Sequence, residues 1–178
     1  WRDQTLSDYP ITERGDEHPA INLTWNDAKA FCEWLSRKEN RAYRLQTDRE
    51  WSMAIGIGHT ETWNSETTPS TVFKDKKVYL WGDQYPPPPG SGNFSDQSRK
   101  AKAPSKEAKI GYIDGYDDGF PTTAPVMNFK PNSFGLYDLG GNVVEWCEDW
   151  FDNLKKHRVQ RGLGCGHWWE GHIPELFL

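Results

Sequence analysis

The stretch Phe134 to Phe151, FGLYDLGGNVVEWCEDWF, decides how the rest of the chain is read. Gly135 and the pair Gly140 and Gly141 let the backbone turn its carbonyl oxygens toward a common point, a freedom that a Cβ would remove. Asp138 and Glu145 flank that bend. Beyond it, Val143, Glu145, Cys147 and Asp149 alternate with Val144, Trp146, Glu148 and Trp150, the two-residue period of a strand with one aromatic face. The aromatic face is expected to be a wall of the core.

Upstream of this stretch, Ala124 to Lys130 reads as a strand that delivers the chain to the bend. Before it, Asp114, Asp117 and Asp118 lie among glycines, which reads equally as a hard-cation loop and as an ordinary Asp-Gly turn. It is not an EF-hand, whose alternating acids and bidentate glutamate are missing. Asp96 to Lys109 reads as a polar loop, and Pro86 to Pro89 as a surface-spanning proline run behind a short apolar strand or turn at Val78 to Gly82. His59 to Lys77, rich in Thr and Ser, reads as a long surface loop.

Two helices are predicted nearer the start. Thr24 and Asp27 form a capping-box pair, after which Trp25, Ala28, Phe31, Cys32 and Leu35 recur at helical spacing to about Glu39. Lys29, Glu33, Arg37 and Lys38 fill the expected outer face. Thr47 with Glu50 repeats the cap before Trp51, Ala54 and Ile55, and this shorter helix is expected to end near Gly56. Trp1 to Ala20 is polar and turn-rich and reads as an extended arm laid over the domain.

The 178 residues fit one domain, 1–178. Hydrophobic content is 35% while aromatics reach 14%, so burial rests on a few large rings, each removing ~150–250 Å² from water. Twelve Pro and sixteen Gly imply many turns and packed loops. The net charge of −5 argues against nucleic acid as a partner. No run of about eighteen apolar residues exists, so no membrane span is expected. A basic-then-apolar leader is missing too, and a chain that starts at Trp1 reads as an excised piece, leaving its compartment open.

The three cysteines cannot all pair, and no CxxC pair marks a structural zinc site. Buried free thiols are expected at Cys32 and Cys147, whereas Cys165 lies in a glycine-rich stretch.

In order along the chain, HPAINLTWNDAKAFCEWL, YRLQTDREW, LWGDQYP, DGFPTTAPV, PNSFGLYDLGGNVVEWCEDW and RVQRG resemble the motifs of the formylglycine-generating enzyme, or sulfatase-modifying factor, family. The resemblance covers about Pro19 to Val159. It implies an α+β fold like that of a C-type lectin, with two helices, small twisted antiparallel sheets and much irregular packed loop. It also implies two calcium sites. The first falls on the Asn93 side chain, the Phe94 carbonyl, Asp118 and the Phe120 carbonyl. The second falls on Asp138, the Gly141 and Val143 carbonyls, and Glu145, with Asp138 standing where a family member has an amide. All are oxygen donors, as calcium requires. The competing reading of Glu145 is a buried, hydrogen-bonded carboxylate.

The family's aerobic enzymes convert a substrate cysteine to formylglycine with a copper(I)-binding cysteine pair near the C-terminus. Here that region reads RVQRGLGCGHWWEGHIPELFL, which puts His167 and His172 at the pair's positions and Cys165 ahead of both. Copper(I) prefers thiolates to imidazole, so copper is not expected and Cys165 is only a weak catalytic candidate. The family's final strand and Gly-Phe-Arg ending are expected beyond Leu178.

The resemblance extends to the variable proteins of diversity-generating retroelements, which would make the source bacterial or phage-derived. These present a diversified C-terminal segment on a fixed lectin-like scaffold. On that reading Leu163, Cys165, His167, Trp168, Trp169, Glu170 and His172, within Leu163 to Ile173, contact a protein or other macromolecular ligand. Trp168 and Trp169 read equally as core packing. A formylglycine-generating oxidase is the alternative function, and an inert accessory domain a third.

Overall fold

The computed structural model describes residues 15–74, 79, 81–102 and 111–163. Two reciprocal caps set the main helices. The Thr24 hydroxyl accepts from the Asp27 amide at 3.2 Å and the Asp27 carboxylate accepts from the Thr24 amide at 2.9 Å, starting α1, Trp25–Glu39. Asn40 closes α1 in the left-handed conformation, φ 50°. Thr47 and Glu50 repeat the device at 3.1 and 2.8 Å to start α2, Asp48–Ala54, which a 3-10 turn at Gly58–Thr60 follows. Both helices occupy the expected spans.

A third helix, α3 at Gln97–Lys102, replaces the start of the expected polar loop after Asp96. Its cap explains it: Asp96 Oδ1 accepts from the Arg99 amide at 3.2 Å. Conversely, Ala124 to Lys130 is not a strand. Pro125 has no amide to donate, Met127 sits at φ 62°, and the segment turns. Of the apolar stretch near Trp81, the described part is a turn, bridged from Tyr79 to Gly82.

Among the described residues the sheet has two antiparallel strands, β1 (Glu145–Trp150) and β2 (Arg158–Arg161). Glu145 faces Arg161, Trp146 faces Gln160 and Trp150 faces Arg158, with an irregularity between Trp146 and Trp150. The architecture is therefore α+β, with few helices, a short antiparallel sheet and much packed loop, as expected.

The deep face of β1 is the opposite of the predicted one. Cys147 is fully buried with Trp51 and Val159, whereas Trp146 and Trp150 are half-buried. The tryptophans instead dock α1: Trp146 Nε1 donates to Leu23 O at 2.9 Å, and the Arg158 guanidinium lies 3.6 Å from the Trp150 ring centre and 3.8 Å from that of Trp25. A two-residue period reveals two faces but not which is deeper. The helix keeps its expected orientation in the main, with Trp25, Ala28, Cys32 and Leu35 half-buried and Glu33, Arg37 and Lys38 exposed, and departs from it at two residues. Lys29 pairs inward with Glu148 at 2.9 Å, while Phe31 is 51% exposed beside Trp34.

A second apolar cluster holds Phe94, Ile113, Tyr116 and Leu163, with Trp81 against it. Both clusters are small, and buried charge fills the space beside the first. Arg161 Nη1 lies 3.0 Å from Asp48 Oδ1, and Lys74 Nζ lies 2.9 Å from Asp48 Oδ2 and 3.0 Å from Glu61 Oε1. Ser52 Oγ donates to Glu61 at 2.6 Å, Trp63 Nε1 does so at 2.8 Å, and the Arg161 guanidinium covers the Trp51 ring at 4.2 Å. Glu61 and Lys74 come from the stretch predicted to be a surface loop, which is thus clamped to α2 and β2. No charge in this group is left without a counter-charge, which lets them be buried together.

Replacing Lys74 by Met leaves Asp48 short of one partner and Glu61 without its cation, and is expected to cost about 3–5 kcal/mol in urea unfolding. Lys29→Met, at a pair about one third exposed, is expected to cost about 0–1 kcal/mol. Equal losses would contradict this account.

Candidate cation sites

The first oxygen set is built on the turn from Asn93 to Asp96 and on the loop 118–124. Asn93 is fully buried. Its Nδ2 donates to Thr122 O at 2.6 Å and to Asn142 Oδ1 at 3.2 Å, while its Oδ1 is buried with no hydrogen-bond partner. Asp118 is fixed by backbone amides: Oδ2 accepts from Phe94 N and Oδ1 from Phe120 N, each at 2.8 Å. These bonds bring together the four residues the sequence assigned to this set. Asp96, which was not assigned, is fully buried and accepts from the Asp118 amide through Oδ2. Burial, with Asp96 beside it, pushes the Asp118 carboxyl up to about 7, against the lowering effect of the two amides.

Asp114 and Asp117 do not join them. Asp114 accepts from Gln97 Nε2 at 2.9 Å, and Asp117 accepts from Ser98 Oγ and from Gly119 N, all at the surface. The signal that would have located Asp96 is its position as cap of α3.

The second set lies on the bend. Asp138 sits at φ 56°, and its Oδ2 accepts from Met127 N at 3.0 Å. Its Oδ1 is buried without a partner. Glu145 Oε2 accepts from Trp51 Nε1 at 2.6 Å, and burial, then the charge of Asp138, push its carboxyl up to about 8. Gly162 closes the set from β2: at φ 87°, a Cβ there would stand 3.3 Å from both Leu139 O and Val143 O. A side chain would press on those carbonyls by a few tenths of an ångström, and the dihedral itself favours glycine.

The residues present fit a hard cation. Each set holds one buried oxygen acceptor with no donor, Asn93 Oδ1 in one and Asp138 Oδ1 in the other. Each also holds a carboxyl pushed toward its neutral form. A bound cation would relieve both conditions. Among the described residues no three His, Cys, Asp or Glu side chains gather into a metal site.

The other assigned residues are placed differently. Leu163 is 7% exposed and packs in the apolar cluster of Phe94, so it faces inward. Cys165, His167, Trp168, Trp169, Glu170 and His172 lie outside the described residues. Cys32 is half-buried and Cys147 buried, both as free thiols, and burial pushes each thiol up, away from the reactive thiolate.

Residues 1–175 match the sulfatase-modifying factor enzyme 1-like domain. The chain is 30% identical over 154 residues to the formylglycine-generating enzyme of Streptomyces coelicolor, covering 85% of this chain and 38% of that protein. It is 31% identical over 148 residues to the inactive C-alpha-formylglycine-generating enzyme 2 of Bos taurus, covering 82% and 38%. Among solved structures, PvdO from Pseudomonas aeruginosa aligns with a TM-score of 0.48 and 24% identity, over 94% of this chain and 51% of that one. The chain thus spans less than two fifths of the length of these two curated relatives. No helix among the described residues is long and apolar enough to cross a membrane.

Without a cation, stability should fall as pH rises. Glu145 moves from 4.5 up to about 8 and Asp118 from 3.8 up to about 7, so the folded state holds protons that the unfolded chain has already released. Their contribution is present below the ordinary carboxylate values and is lost as pH climbs through the folded ones. Urea unfolding in chelator is expected to give a midpoint that drops from about pH 5 to about pH 8, with a shallower drop in Glu145→Gln.

Proposed function

The chain belongs to the family of the sulfatase-modifying factor enzyme 1-like domain, and from that membership we propose that it is a non-catalytic binding domain on a calcium-stabilised scaffold. The segment that follows Leu163, as far as Ile173, would supply its ligand surface. The observation that carries this reading is the use made of the cysteines. Cys32 belongs to α1 and Cys147 to the core beneath Trp51, so both described thiols are taken up by the fold, and no second cysteine stands in the sequence at the five-residue spacing from Cys165 that a copper(I) pair would use. That one curated relative is described as inactive is in keeping with a member that has given up the chemistry.

Calcium has a structural part in this reading. Asn93, Phe94, Asp118 and Phe120 would hold one ion, and Asp138, Gly141, Val143 and Glu145 the other. Each ion would supply positive charge beside one buried oxygen that has no donor, Asn93 Oδ1 or Asp138 Oδ1. The second set adjoins Gly162 and so supports the base of the C-terminal segment, with Leu163 as its buried anchor. Beyond that anchor, Trp168 and Trp169 would give a protein partner large rigid contact area, as in a diversified display protein.

The alternative, a formylglycine-generating oxidase, draws on the activity named for the Streptomyces coelicolor relative. Incubation with copper and a Cys-x-Pro-x-Arg peptide distinguishes the two. No aldehyde is expected, whereas aldehyde formation that disappears in Cys165→Ala would overturn the binding reading. Separately, chelation should lower the melting temperature and added calcium restore it, because a ligand of the folded state alone stabilises that state. Melting unaffected by either would remove calcium from the proposal.

A further inference from the structure

We infer that the two cation sets are coupled through a buried pair of asparagines, Asn93 and Asn142, so that filling either set raises the affinity of the other. The inference rests on the calcium reading above and deepens it.

Asn142 is 1% exposed and sits at φ 69°, between Gly141 and Val143, whose carbonyls belong to the second set. Its own polar groups serve the first. The Asn142 amide donates to Asn93 O at 2.8 Å, and its Oδ1 accepts from Asn93 Nδ2 at 3.2 Å and from Ala124 N at 2.8 Å. Its Nδ2 donates to Ala124 O at 3.1 Å. With Asn93 Nδ2 committed to Asn142 and Thr122, the amide plane of Asn93 is set, and with it the place of the Oδ1 that has no partner. One side chain therefore orients a donor of the first set while its backbone neighbours are donors of the second.

Packing leaves this linkage little slack. A Cβ on Gly141 would stand 2.6 Å from Asn93 O and 3.0 Å from Phe94 Cε1, so the backbones of the two sets lie in contact. A displacement of Asn93 must move Gly141, and the reverse. Without cations each set holds a buried oxygen with no donor, Asn93 Oδ1 in one and Asp138 Oδ1 in the other. A cation at either set satisfies that oxygen and holds the shared stretch of chain in its filled position, which lowers the cost of ordering the other set. Direct repulsion between the ions opposes this. It is weakened because Asp138 and Glu145 can offset one divalent charge, and Asp96 and Asp118 the other.

Coupling of this kind is reciprocal, so each set must affect the other by the same factor. Calorimetric calcium titration of the wild type, Asp118→Asn, Glu145→Gln and Asn142→Gly tests it, with circular dichroism confirming that each variant is folded. The wild type should take up two ions. Removing the first set with Asp118→Asn should weaken the remaining site by roughly five-fold or more, and Glu145→Gln should weaken the other by the same factor. Asn142→Gly, which accommodates the left-handed dihedral but lacks the side chain, should bind two ions nearly independently. If the wild type binds two ions and each single-set variant keeps or improves the affinity of the set that remains, the coupling is overturned while the calcium reading stands. A wild type that binds no calcium overturns both. Should Asn142→Gly fail to fold, the size of the two factors from Asp118→Asn and Glu145→Gln decides: a matching loss of roughly five-fold or more supports the coupling, and two factors near one overturn it.

Discussion

The ion pair between Arg161 and Asp48, each about 1% exposed, is the contact on which the rest of the structure depends. Asp48 opens α2, and its amide also donates to Asp149 Oδ2 of β1 at 2.6 Å, so the first turn of a helix and both strands meet at one residue. Lys74 and Glu61 extend the cluster into a stretch with no regular secondary structure between them beyond a turn. In a chain with few buried aliphatics, these paired charges do the joining that leucine and isoleucine do elsewhere. The arrangement tolerates no vacancy, because removing one partner leaves the others buried and uncompensated.

Tryptophan completes the same scheme by acting at both ends of its ring. Trp51 packs its face beneath the Arg161 guanidinium and donates its indole N–H to Glu145. It thereby ties the ion cluster to Glu145 and so to the second candidate cation set. Trp25 likewise donates to Cys147 O at 2.9 Å while it covers Arg158. Large rings with one polar edge suit a small core in which every element must also satisfy a neighbour's backbone.

The two candidate cation sets add a second kind of constraint, made of backbone and not of side-chain volume. Asp138, Asn142 and Gly162 all adopt positive φ within or beside the bend, which is pinned by Val143 N donating to Gly141 O at 2.8 Å and Leu163 N to Gly140 O at 2.9 Å, while Asp138 Oδ1 stays buried without a donor. That open acceptor is why calcium is given to the scaffold in the proposed function, while the ligand surface is assigned downstream of Leu163.

Local chemistry was legible in the residues themselves. Thr24 with Asp27 and Thr47 with Glu50 announced two helices because a cap needs only neighbours within one turn. The alternation along β1 announced a strand for the same reason, and the ordered motifs announced the family. What the tertiary structure alone decided was every pairing across distance. Periodicity could not tell that Cys147, and not Trp146, lies on the deep face, nor that Phe31 would face outward while Lys29 turned in. Composition marked 59–77 as a polar loop because nothing local distinguishes a solvated Glu61 and Lys74 from a buried pair. Asn142 carried no signal at all, since the value of a buried amide depends on Asn93 and Ala124 arriving beside it from distant parts of the chain. The sequence by itself determined the elements and the oxygen-rich bend; only folding determined which charges and amides would be removed from water together, because that depends on where separate segments meet.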